Sequence, residues 1–249
     1  MRPLLSALVA AAWIAAAPHG VPAFAAETAP RVALIGATAN SAPTFINQAI
    51  ERGFDVVGIA RRPEAVAVNH ERLKVYKGDV YDRQSIEDAL TGDEVVVSYL
   101  SCCSSGDPND EILEEIDLFS KGTANIIAAM KAKGNRRFIA VSTTGVEHII
   151  VDKPDETAPL TEKLMWNRRR KFDDVRRMEA LIAESGLEYI VVRPARVIGD
   201  TVVGTFHIVV NKNTYDPYTR TLSRPDMAKF ILDQVESDEY VNTIVGVYN

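Results

Sequence analysis

Seven short runs rich in valine and isoleucine alternate with helix-patterned segments along this chain. That alternation constrains its fold more than any other feature. The runs are RVALIG (31–36), DVVGIA (55–60), LKVYKG (73–78), EVVVSYL (94–100), RFIAVST (137–143), YIVVRP (189–194) and NTIVGVY (242–248). Most are apolar at nearly every position instead of every second one, the pattern of strands covered on both faces in a parallel sheet. Helical patterning fills 43–52, 83–91, 110–133, 161–185 and 225–236. Gly53, Gly92, Gly134 and Gly186 stop the first four, and Pro225 suits the first turn of the last. Strand–helix alternation predicts βαβ units and an α/β, doubly wound parallel sheet in one domain over 27–249. Two segments break the alternation, 144–160 and 196–222. Both follow late strands, where loops line the ligand crevice of such a sheet. They are the expected substrate walls.

Residues 1–26 stand apart. Arg2 precedes an apolar run from Leu4 to Ala17, then Pro18, Gly20 and Pro22, then the small-residue site Ala23-Phe24-Ala25. This is the build of a secretory signal peptide, cleaved near Ala25 or Ala26, and it predicts an exported, periplasmic or secreted product. The alternative is a membrane anchor, but the apolar run falls short of the roughly 20 residues that span a bilayer. No stable anchor is expected after cleavage. The formal net charge of −6 argues against nucleic acid as the main partner. The two cysteines, Cys102 and Cys103, are adjacent and cannot staple distant segments. They form either a strained vicinal disulfide or two small buried side chains at a strand end.

The stretch IGATANSAPTF (35–45) joins the first strand to the first helix. In a dinucleotide-binding turn, glycines permit the tight bend, backbone approach to a pyrophosphate, and close helix–strand packing. Here the three positions are Gly36, Ala39 and Ala42. The methyl of Ala39 is a cost, through crowding of the pyrophosphate or exclusion of a positive φ. Pro43 removes one donor from the helix start. Thr38, Asn40 and Ser41 offset this with side chains that donate to phosphate oxygens, and Ser41 also suits an N-cap.

The second strand ends in Arg61-Arg62. A free ribose 2′-hydroxyl calls for an acidic residue at this place, whereas arginine suits a 2′-phosphate. NADP(H) is therefore favoured over NAD(H); the alternative is a solvated arginine pair opening a loop. After the third strand, Asp79 has the position to accept from an adenine amine with Val80 against the ring, or else to serve as a turn aspartate. His70, His148 and His207 show no metal-ligand spacing, so no metal site is expected. His207 lies in an alternating stretch, either on an exposed strand or facing the cleft. Ser142-Thr143-Thr144-Gly145 is not a nucleophile elbow, which leaves a hydrolase triad without support. Arg168, Arg169, Arg170 and Lys171 give one helix a basic face, solvated or attracting an anionic substrate.

IGATANSAPTFINQAIERGFDVVGIARRPEAV, VYKGDVYD, RRFIAVSTTGV, MEALIAESGLEYIVVRPARV and LSRPDMAKFILDQVE occur in the order and spacing of atypical short-chain dehydrogenases. The chain resembles the single-domain NAD(P)H-binding group of NmrA-like proteins and biliverdin-IXβ/flavin reductases, over about residues 31–249. The resemblance implies a Rossmann fold with NADP(H) along the strand ends. It implies that Gly36, Thr38, Ala39, Asn40 and Ser41 hold the pyrophosphate, Arg61 and Arg62 the 2′-phosphate, and Asp79 and Val80 the adenine. Leu100 and Ser101 would line the ribose and nicotinamide side, with Pro194, Ala195 and Arg196 closing the pocket. Ser142 and Thr143, beneath the nicotinamide, are the catalytic candidates.

One departure weighs on mechanism. Many short-chain dehydrogenases carry a Tyr-x-x-x-Lys pair ten to fourteen residues before the equivalent of Ser185-Gly186-Leu187, as the resemblance implies. This chain has Arg170-Lys171-Phe172-Asp173-Asp174-Val175 there, without tyrosine. Acid–base catalysis by such a pair is not carried over. Two readings follow: a reductase passing hydride to a small acceptor by positioning, or a non-catalytic nucleotide-binding redox sensor. Trp166, Tyr215 and Tyr218 are expected in the substrate walls, stacking on a flat acceptor or packing an irregular lid.

Overall fold

The computed structural model describes residues 29–101, 116–147, 157–211 and 219–249. The signal segment, Cys102, Cys103, His148, Tyr215 and Tyr218 lie outside the described residues. Ten strands appear among those described: β1 (Arg31–Ile35), β2 (Asp55–Ala60), β3 (Leu73–Lys77), β4 (Val95–Ser98), β5 (Arg137–Val141), β6 (Glu188–Pro194), β7 (Arg196–Val197), β8 (His207–Val210), β9 (Thr221–Leu222) and β10 (Thr243–Tyr248). Five helices accompany them: α1 (Ala42–Glu51), α2 (Arg83–Ala89), α3 (Leu118–Lys133), α4 (Leu160–Ala183) and α5 (Arg224–Val235).

All seven expected strands enter one sheet of order β3-β2-β1-β4-β5-β6-β10-β8. It is parallel except where β8 closes the edge antiparallel to β10. This is the doubly wound Rossmann architecture in a single domain. Successive β1 residues face opposite layers. Val32 and Leu34 join Phe45, Ile46 and Ala49 of α1 and Met227, Phe230 and Ile231 of α5. Ala33 and Ile35 join Ile86 of α2, Ile126 and Met130 of α3 and Val175 and Met178 of α4. Burial on both faces explains the continuous apolar runs.

Two expectations are corrected. β3 is not covered on both faces: it is the sheet edge, and Lys74, Tyr76 and Lys77 are exposed. The helix expected over 110–133 begins at Leu118, with Asp117 in the N-cap position. The amides of Phe119 and Ser120 donate to the buried Asp174 carboxylate of α4, at 2.7 and 3.3 Å. A carboxylate from another helix thus satisfies the first turn. Of the two places open to His207, it takes the exposed strand: it stands on edge strand β8, stacked on Tyr248 at 5.0 Å, and does not line the cleft.

Candidate functional site

The chain leaves β1 toward β2 on one side and leaves β4 toward β5 on the other, so the strand order reverses between these neighbours. A crevice opens at the carboxyl ends of strands at such a point. Here it is a cleft of about 950 Å³, large enough for a dinucleotide-sized ligand by the usual range of roughly 300–1,000 Å³. It runs from the turn after β1 across β2 and β3 on one side and across β4, β5 and β6 on the other.

Gly36 shapes the turn. Its φ is +87°, and a Cβ there would stand 2.6 Å from the Tyr99 carbonyl oxygen, so only glycine fits without displacement. The amides of Gly36 and Ala37 donate to Ile59 O at 3.0 and 3.2 Å. Those of Ala39 and Ala42 donate to Gly36 O and Ala39 O, at 2.9 and 2.8 Å. Among the described residues, the amides of Thr38, Asn40 and Ser41 have no backbone acceptor, and all three residues line the cleft. Three free donors in one turn match the acceptor oxygens of a pyrophosphate.

Ala39 needs no glycine conformation: among described non-glycine residues only Asn211 and Asn242 have positive φ. Its side chain packs against the α1 side of the core. Ser41 occupies the N-cap position of α1, but its hydroxyl makes no capping bond. The capping role expected for that side chain is not present.

Of the two arginines after β2, Arg61 lines the cleft and Arg62 does not. Arg62 precedes a 3₁₀ turn over Pro63–Ala65. Asp79 and Val80 both line the cleft. An Asp79 carboxylate oxygen accepts from the Tyr81 amide at 3.0 Å, and its own amide donates to Ser85 Oγ at 2.9 Å. Its turn role is thus realised beside any ligand role. Val80 rests against α3 at Gly122, where a Cβ would meet Val80 Cγ2 at 2.9 Å.

The other half of the cleft gathers Leu100, Ser101, Ser142, Thr143, Pro194 and Arg196. Thr143 Oγ1 accepts from the Gly145 amide at 3.3 Å. The Ser142 hydroxyl donates to Glu179, and Glu179 is clamped by Arg193, with Nε to Oε1 at 2.9 Å and Nη2 to Oε2 at 2.6 Å. Both members of the pair are buried. Trp166 does not line the cleft; the Arg169 guanidinium lies over its ring, 5.5 Å from the centroid.

Two contributors, Tyr99 and Glu179, escaped assignment from sequence. Tyr99 lines the cleft beneath the phosphate turn, edge-on to Phe45 at 5.5 Å. Its hydroxyl is buried without a hydrogen-bond partner among the described residues, and burial pushes its pKa up. Lys171, singled out in the basic run of α4, reaches the cleft. Glu179 holds Ser142 from behind. Its signal was Arg193, a cation inside an apolar strand, which demands a buried counter-charge.

Comparison with known proteins bears on this geometry. The sequence pattern of the NAD(P)H-binding family matches residues 36–238. Divinyl chlorophyllide a 8-vinyl-reductase of Cucumis sativus is 24% identical over 237 residues, covering 87% of this chain and 52% of that protein. The chain thus spans about half the length of this relative, and 16% of a similar uncharacterized protein of Mycobacterium tuberculosis. Among solved structures, a short-chain dehydrogenase/reductase of Veillonella parvula in complex with NADP superposes with a TM-score of 0.66 at 19% identity, covering 89% of this chain and 95% of that one. An anaerobillin reductase of Escherichia coli O157:H7 gives 0.67 at 15% identity, covering 87% and 96%. These structural likenesses establish the fold. The sequence pattern spans the phosphate turn, both halves of the cleft and all five helices, and by it the chain belongs to the NAD(P)H-binding family, as a Rossmann domain.

Proposed function

We propose that the protein is an exported reductase that uses NADPH in preference to NADH and reduces a small, negatively charged acceptor. One observation carries the reading: a single cleft joins three unpaired turn amides to a second half that presents Lys171 and Arg196. Among the described residues neither cation has a salt-bridge partner. The bound cofactor would supply hydride. The amides of Thr38, Asn40 and Ser41 hold its pyrophosphate, and Arg61 meets the 2′-phosphate. Lys171 and Arg196 orient the acceptor's negative charge, so that proximity and exclusion of water do the catalytic work. Two similar proteins are named as reductases, which supports reduction over other nicotinamide chemistry. Export rests on the N-terminal segment, and because free NADPH is concentrated in the cytoplasm, it implies a retained or supplied cofactor.

A second reading, a non-catalytic redox sensor, is favoured by one specific feature. Among the described residues, no tyrosine hydroxyl is poised in the cleft as a proton donor: that of Tyr99 is buried, and burial pushes its pKa up. The deciding experiment is calorimetric titration of the mature chain with NADPH and NADH, followed by NADPH oxidation across quinone, flavin and tetrapyrrole acceptors with and without carboxylates. Turnover that depends on the carboxylates is expected. Binding without turnover would select the sensor, and no binding at millimolar cofactor would sink both readings.

A further inference from the structure

A serine hydroxyl facing a ligand usually adapts, donating to an oxygen or accepting from an N–H as needed. Ser142 lacks that freedom. It follows β5, lines the reacting half of the cleft, and contacts Glu179 Oε1 through its Oγ. Glu179 is 6% exposed, and both its oxygens already accept from Arg193. A carboxylate clamped by a guanidinium has no proton to give, so each proton in these contacts comes from its partner. The Ser142 hydroxyl therefore donates to Glu179, and only its lone pairs remain for the cleft. Rotating that proton toward a ligand would face two oxygens without a hydrogen between them and deprive a buried carboxylate of a donor.

We infer that Glu179 and Arg193 fix the hydrogen-bond polarity of Ser142, so that the cleft recognises a ligand N–H or O–H there and disfavours a bare carbonyl oxygen. The inference rests on the reading of this half as the nicotinamide and acceptor side. Glu179 is a positioning residue, acting through Ser142. Simple aldehydes and ketones, which would need a proton from Ser142, are poor acceptors by this logic. Two sources offer the required donor: the carboxamide amine of the nicotinamide, or a ring N–H or hydroxyl of the acceptor.

Calorimetry with two matched ligand pairs tests this on the mature chain. The first pair is NADP⁺ and its 3-acetylpyridine analogue, in which a methyl replaces the carboxamide amine. The second is pyrrole-2-carboxylate and furan-2-carboxylate, in which a ring oxygen replaces the N–H, titrated with and without NADP⁺. In the unmodified protein, at least one pair should favour its donor member by about tenfold. Ser142→Ala should remove that preference. The double variant Glu179→Met with Arg193→Met replaces the ion pair by apolar chains of similar length; it frees the hydroxyl, and the same preference should fall toward unity. A preference in the first pair identifies the cofactor as the donor, and one in the second identifies the acceptor. Equal affinities in both pairs, a preference for the oxygen member, or a preference surviving Ser142→Ala overturns the inference. So does failure of the second pair to bind when the first shows no preference. Loss of all NADP⁺ binding instead defeats the cofactor reading and leaves the second pair, in the unliganded chain, to decide on Ser142.

Discussion

At the amino ends of β1 and β4, Glu94 is buried and fully engaged. It accepts from the Thr91 amide and hydroxyl, the Gly92 amide and the Asn135 side chain, with Arg31 at 3.6 Å. Nearby, Arg137 bridges Glu188 and Asp238. At the carboxyl ends of the same strands, the turn after β1 leaves three amides without acceptors, and Arg61, Lys171 and Arg196 face a cleft without counter-ions among the described residues. One end of the sheet spends its polar groups on the fold. The other holds them ready for a ligand, so stability there is recovered on binding.

The largest expected effect tests whether the open end is built on a fixed backbone. Gly36→Ala forces a Cβ into the Tyr99 carbonyl and a positive φ onto alanine. Denaturant unfolding should show a loss of about 3 kcal/mol, and NADPH binding should disappear. Wild-type stability in this variant would mean that the turn relaxes freely and that the comparison of the two ends is mistaken.

At the closed end, Glu94→Ala should cost about 2–3 kcal/mol by stranding buried donors, while leaving NADPH affinity unchanged. Acid unfolding gives a second readout. Burial alone would raise the Glu94 pKa, but hydrogen bonds from Thr91, the local backbone and Asn135 prevail and hold it below the usual 4.5. A folded-state pKa below the unfolded one contributes stability that is complete above the unfolded value and is lost as pH falls through the folded value. The unmodified protein should therefore lose stability more steeply below about pH 5 than Glu94→Ala does; parallel curves would remove Glu94 from the acid response.

Smaller effects refine the open end. Arg61→Asp should shift the NADPH-to-NADH affinity ratio about tenfold toward NADH, near 1.4 kcal/mol, and an unchanged ratio would take Arg61 out of the 2′-phosphate site. Ala39→Gly should leave NADPH affinity as it is and lower stability by about 0.5 kcal/mol through unfolded-state entropy, because Ala39 already holds an ordinary backbone conformation. Tighter binding in that variant would reinstate its methyl as an obstacle.

Much of this molecule was legible because local rules and the final fold agree. The buried strands are uniformly apolar, and Gly36 sits where strand-to-helix geometry demands glycine. Of the two costs assigned to Ala39, exclusion of a positive φ falls away, because the folded turn needs no positive φ at that position. β3 was read as buried, although its exposure follows from standing at the edge of the strand order. The start of α3 is not legible locally because the carboxylate that satisfies its first turn, Asp174, comes from a helix more than fifty residues away in sequence.

The sequence by itself determined the α/β alternation, the phosphate turn and the absence of a Tyr-x-x-x-Lys pair, since each is a pattern of neighbouring residues. Tertiary structure decided which polar side chains meet. Only the rotation of α4, set by packing Phe172, Val175 and Met178 against the sheet, aims Lys171 into the cleft and Glu179 at Ser142 and Arg193. Burial then fixes which of these groups gives a proton and which receives one, because a buried carboxylate must find its donors within the protein.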